Sequence, residues 1–121
     1  MKYGLFLITI AFALMSCRHS PDIPDTPAMS FAKDMQPIII SNCTASGCHG
    51  SIDSRQFKLE TYEEVIKKVM VGNALSSSIY QVITGKGFST LMPPTSSSQG
   101  QLTDAQIKVI YLWIMQGAKN N

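Results

Sequence analysis

The sequence has 121 residues, of which 45% are hydrophobic and 15% charged, with a mean hydropathy of +0.09 and a formal charge of +2. That composition excludes an intrinsically disordered chain and bounds the fold to one small domain. A protein that grips nucleic acid through its phosphates carries a larger positive excess or a Lys/Arg cluster, and this chain has neither, so nucleic acid is not an expected partner.

In chain order, residues 1–16 read as a secretory signal peptide: Lys2 is the positive start, Tyr3 to Met15 form a nearly uninterrupted apolar run, and Ser16 is the small residue before the break. The run is too short to cross a bilayer, which takes about 20 apolar residues. Leu14-Met15-Ser16-Cys17 looks like a bacterial lipobox. That resemblance implies that Cys17 is lipidated, becomes the first residue of the mature chain, and carries several acyl chains; a single chain would hold only marginally. The other reading is an ordinary cleaved signal followed by a stray cysteine. Residues 17–29 contain Pro21, Pro24 and Pro27 with no apolar periodicity, which suits an extended tether to a membrane surface. The folded domain is expected over 30–121.

No segment of useful length alternates apolar and polar residues, so the domain is predicted all-α, with about four helices. The first, Phe31 to Asn42, aligns Phe31, Met35, Ile38 and Ile39, while Pro37 should kink it or mark its true start. The second opens on a Thr61/Glu64 capping box, aligns Tyr62, Val65, Ile66, Val69 and Met70, pairs Glu63 with Lys67 and Glu64 with Lys68, and stops at Gly72. A short third helix is expected from about Ser78 to Thr84, with Ser77 as its cap and Gly85 as its end. The fourth begins at a second capping box, Thr103/Gln106, with Leu102 and Ile107 as a hydrophobic staple. From Ile107 to Met115 only Lys108 is charged, so that helix must be covered on most sides. A domain this small buries little area, and something besides side chains is expected to complete its core.

The stretch Cys43-Thr-Ala-Ser-Gly-Cys48-His49-Gly50 carries the chemistry. Two cysteines followed directly by a histidine are the sequence sign of covalent haem, although the usual gap between them is two residues and here it is four. Each thiol can add to one vinyl group of a porphyrin, and the histidine beside the second is then held under the iron. Gly47 lets the longer loop bulge. The alternatives are a local Cys43–Cys48 disulfide, which exported cysteines commonly form, and a zinc site, for which the mature chain offers only these three residues and His19 in the tether.

Methionine in the sixth position of a histidine-held haem iron is the arrangement of electron-carrying cytochromes c. Five methionines follow the leader. Met35, Met70 and Met115 are assigned to apolar helical faces and Met29 to the edge of the tether. Met92 lies in a Gly- and Ser-rich loop and precedes Pro93-Pro94, which stiffen the backbone around it. A loop methionine covering the core is the plainer reading of Met92 taken alone.

With these residues the chain resembles the class I cytochromes c, and in particular small planctomycete-type cytochrome c domains, including lipoprotein forms with a widened C-x-x-x-x-C-H motif. The resemblance spans about Ser30 to Asn121. It rests on Cys43, Cys48, His49 and Gly50, on Ser78-Ile79-Tyr80, on Met92-Pro93-Pro94, on Trp113-Ile114 and on Gly117-Ala118. It implies an all-α fold with first and last helices crossing around one haem c. Thioether bonds would come from Cys43 and Cys48, with His49 proximal and Met92 distal to the iron. The expected role is a lipid-anchored electron carrier, not an enzyme, exchanging one electron with redox proteins in the bacterial cell envelope, on the periplasmic or outer side. A non-haem interaction module stapled by a Cys43–Cys48 disulfide is the alternative. Lys58, Lys67, Lys68 and Lys86 are candidates for steering an acidic partner, whereas Asp53 and Glu60 read as solvated surface.

Overall fold

A computed structural model describes residues 22–52, 56–86 and 90–121. The expected leader, the lipidation site Cys17, the first residues of the tether and Asp53 lie outside the described residues. Four α-helices are present among the described residues, and no strand: α1 (Gln36–Cys43), α2 (Tyr62–Ile66), α3 (Ser78–Thr84) and α4 (Asp104–Met115). A π-helical turn, Phe31–Met35, leads into α1, and a 3-10 turn, Ala74–Ser76, precedes α3.

Pro37 explains the π turn. It has no N–H to offer the carbonyl four residues back, and its ring crowds that carbonyl, so the preceding turn widens. Met35 and Gln36 accordingly donate to Ser30 and Phe31, five residues back. The α-helix proper begins only at Gln36, with Phe31, Met35 and Ile39 buried.

Both capping boxes form, at Thr61/Glu64 and Thr103/Gln106. The helix α2 is shorter than its apolar stripe suggests. Beyond Ile66 the chain tightens into bonds from Lys68 to Val65 and from Val69 to Ile66, because the carbonyls of Lys68 and Met70 are claimed from outside the helix. Ile79 N–H and Ser78 Oγ donate to the Lys68 carbonyl, each at 3.2 Å. Ser77 Oγ accepts from Met70 N–H at 2.8 Å and donates to the Met70 and Asn73 carbonyls.

Three expectations therefore change. Ser77 is a buried clasp and makes no side-chain cap on α3. Met70 is carried off the packed stripe and is 53% exposed. The Glu64–Lys68 pair gives way, because the Glu64 carboxylate accepts from Glu60 and Thr61 N–H groups and Lys68 turns toward an aromatic ring. The Thr61 N–H is the main reason that the Glu64 carboxyl is held below its ordinary range.

The core joins the π turn, α2, α3 and α4, with Met35, Val65, Ile110 and Ile114 fully buried. Every apolar residue of α4 from Ile107 to Met115 is at least partly covered, as its composition requires. The Phe31 ring packs edge-on to Tyr62 at 5.2 Å and against Trp113 at 5.7 Å. The polar ends of this cluster are satisfied, Trp113 Nε1–H donating to the Lys119 carbonyl and Tyr62 O–H to that of Ala118, both at 3.0 Å. Ser30 Oγ and Ala32 N–H donate to the Asn121 carbonyl, so the π turn and the segment after α4 are sewn together. Gln116 extends the seam: its side chain accepts from Met29 N–H and donates to the carbonyls of Pro24 and Pro27, laying the end of the Pro-rich segment against the domain. No helix among the described residues is long and apolar enough to cross a membrane.

Candidate functional site

The helix α1 ends at Cys43, and the chain then closes a tight loop. Cys48 N–H donates to Ala45 and His49 N–H returns to the Cys43 carbonyl at 3.0 Å. The four residues between the cysteines are thus absorbed in a turn, with Gly47 at φ +81°, a conformation that other residues adopt at a cost. Gly50 is needed for a different reason: a Cβ there would lie 2.4 Å from the Thr44 carbonyl oxygen. The close approach of these two strands of backbone holds His49 beside Cys43.

The imidazole is fixed by the loop that follows. His49 Nδ1 lies 2.8 Å from the Phe57 carbonyl oxygen. A carbonyl only accepts, so Nδ1 carries the hydrogen and the lone pair of the neutral ring is left on Nε2, the state in which histidine binds a metal. The Phe57 ring also lies against the imidazole, with centroids 4.4 Å apart and planes tilted by 34°. Leu59 N–H donates to the His49 carbonyl at 2.9 Å, and Glu60 accepts from both the N–H and the Oγ of Ser51. Glu60 is therefore a clip that closes the 49–60 loop, not the solvated surface residue that its isolation in the sequence suggests.

Two adjoining cavities, of about 250 and 360 Å³, open beside this imidazole. They share Cys43, His49, Gln56 and Met92 as walls. The smaller is bounded by Cys48, Asn42, Gly47, Pro93 and Pro94, and the larger by Phe57, Leu59, Lys68 and the α3 residues Ser78, Ile79, Val82 and Ile83. Joined through their shared walls they fall within the roughly 300–1,000 Å³ usual for cofactor sites. Met92 reaches them because its N–H donates to the Val82 carbonyl at 2.9 Å, and the Gln101 side chain donates to the carbonyl of the buried Pro93.

All four chemistry-bearing residues of the folded part, Cys43, Cys48, His49 and Met92, thus meet on one cavity. Cys43 is a thiol, and burial, followed by the neighbouring Cys48, pushes it up to about 11. Among the other methionines, Met35 is fully buried and Met115 accepts from Ala74 N–H at its sulfur, so both are packing residues. Among the described residues no three His, Cys, Asp or Glu side chains are placed to hold a bare metal ion.

Sequence reasoning missed Phe57, which comes from a loop, and placed Lys68 on the outer face of the second helix and among the partner-steering lysines, not in the turn after α2 that lines the cavity. Phe57 has no periodic neighbour to mark it, and the spacing of Lys68 from Glu64 pointed to an outward pair. A lone aromatic eight residues after the histidine is the one available signal. The chemistry of the donor set fits a haem: two thiols for thioether bonds, an imidazole nitrogen and a thioether sulfur as iron ligands, and apolar walls of Leu59, Ile79, Val82 and Ile83. Comparison of the chain with protein-family models, with curated proteins and with solved structures returned no match.

Proposed function

We propose that this chain is a lipid-anchored, single-haem c-type cytochrome of the class I kind, transferring one electron between redox proteins in the bacterial cell envelope. The observation that carries the reading is the convergence of Cys43, Cys48, His49 and Met92 on one cavity, with Nδ1 of His49 committed to a carbonyl and Nε2 left as donor. The all-α fold and the packing of the π turn that begins the first helical segment against the last helix support it.

In this reading Cys43 and Cys48 would hold the porphyrin through thioether bonds, and His49 and Met92 would be the ligands to its iron. The haem supplies an iron that takes up and releases one electron without changing its protein ligands. The chain's own residues do the rest. Phe57 fixes the tautomer of His49 through its carbonyl, in the way that outer partners of metal-binding histidines orient the ring. Ile79, Val82 and Ile83 of α3 give the site an apolar wall, and the backbone anchor of Met92 on Val82 holds its loop at the cavity. The lipid on Cys17 would attach the protein to the membrane, and the Pro-rich segment laid against Gln116 would set how the domain hangs from it.

The test is the absorption spectrum and thiol chemistry of protein made in a host that attaches haem. A Soret band with no alkylatable thiol at Cys43 or Cys48 supports the cytochrome. A colourless protein whose Cys43 and Cys48 become alkylatable only after reduction contradicts it and leaves the disulfide-stapled interaction module.

A further inference from the structure

Among the described residues that line the larger cavity, Lys68 is the only Lys, Arg, Asp or Glu. It differs from Lys58, Lys67 and Lys86, which are exposed. Its ammonium lies 3.9 Å from the centroid of the Phe57 ring, within the range of a cation–π contact. Its backbone is held too, since the Lys68 carbonyl accepts from Ile79 N–H and Ser78 Oγ at the start of α3. Phe57 touches His49 twice, through its carbonyl and through its ring face. Yet that ring is 50% exposed, so burial alone does not hold it in place.

We infer that Lys68 and Phe57 are positioning residues for His49: Lys68 pins the Phe57 ring, the ring fixes the plane of the imidazole, and the Lys68 charge raises the electron affinity of the group that His49 binds. The inference rests on the haem reading. A half-exposed ring stacked on a ligand is free to slide, and sliding would leave the plane of the imidazole held by the Phe57 carbonyl alone. The cation removes that freedom at the cost of placing a charge beside the cavity. A positive charge near the iron stabilises the electron-rich, reduced state, so the charge and the stack act on different observables.

The experiment uses the haem-bearing protein and compares Lys68→Met, which keeps the aliphatic stem, with Lys68→Arg, which keeps both charge and stacking, and with Phe57→Leu. Two quantities are read: the midpoint potential, and the spread of the paramagnetically shifted haem-methyl NMR signals, which reports the orientation of the axial imidazole. Lys68→Met is expected to lower the potential and alter the methyl spread. Lys68→Arg should restore both, and Phe57→Leu should alter the spread with the Lys68 charge still in place. A lowered potential with the methyl spread unchanged in both Lys68→Met and Phe57→Leu overturns the positioning role. A Lys68→Met protein with wild-type potential and spectrum overturns the inference while leaving the cytochrome standing. A protein without attached haem overturns both.

Discussion

Around Trp113 the domain is tied together: three aromatic rings interlock, their polar atoms are paired, and the Asn121 carbonyl and the Gln116 side chain close the seam. Around His49 it is hollow, with two joined cavities whose walls include both cysteines, the histidine and a methionine. Protein interiors pack to crystal density, and a small domain has little apolar area with which to offset an empty core. A third cavity, of about 310 Å³, lies beside Trp113, but Asp25, Gln116, Lys119 and Asn121 are among its walls and no thiol or imidazole is. In the haem reading proposed above, the pair beside His49 would be completed by the cofactor.

Substitutions that treat the two regions alike would break this contrast. The largest stability loss is expected from Trp113→Ala, about 3–5 kcal/mol by chemical denaturation, because the residue is 1% exposed and anchors the ring cluster. Next is Gly50→Ala. It puts a methyl group against the Thr44 carbonyl and should cost about 1–3 kcal/mol while lowering the yield of attached haem. Met92→Ala inverts the pattern. In the haem-free chain it should cost only about 1 kcal/mol, yet in the haem protein it should abolish the methionine-to-iron charge-transfer band and lower the potential.

A further effect, confined to alkaline solution, is one of pH in the haem-free chain. The folded protein keeps Cys43 protonated up to about 11, against an ordinary value of 9.0. The unfolded thiol therefore ionises first, and the contribution of this group to stability is complete below pH 9 and lost as pH rises toward 11. Denaturation midpoints across that window check it, as does slower alkylation of Cys43 in the folded chain than in the unfolded one at pH 9.

Local rules were legible wherever the backbone decides. The capping boxes at Thr61 and Thr103, the bounds of α3 and the ambiguity at Pro37 were all readable, because hydroxyl geometry and a missing N–H act within one turn. What the sequence could not show was set by distant partners. The helix α2 stops early because Ser77, Ser78 and Ile79 take the polar groups of Lys68 and Met70, and that same bend exposes Met70 and swings Lys68 into the cavity. Phe57 and Glu60 gained their roles only when the 49–60 loop closed on His49 and Ser51. The Cys43, Cys48 and His49 cluster was legible because its residues are neighbours in the chain. The meeting of Met92 with them depends on the bond from its N–H to Val82, which no local pattern announces.

The central claim is tested most directly by the intact mass of the mature chain, purified from a haem-attaching host and then fully unfolded. The account predicts a mass raised by one haem that survives denaturation and is lost when Cys43 and Cys48 are both replaced by Ser. An unmodified mass, with the two cysteines joined to each other, would contradict it.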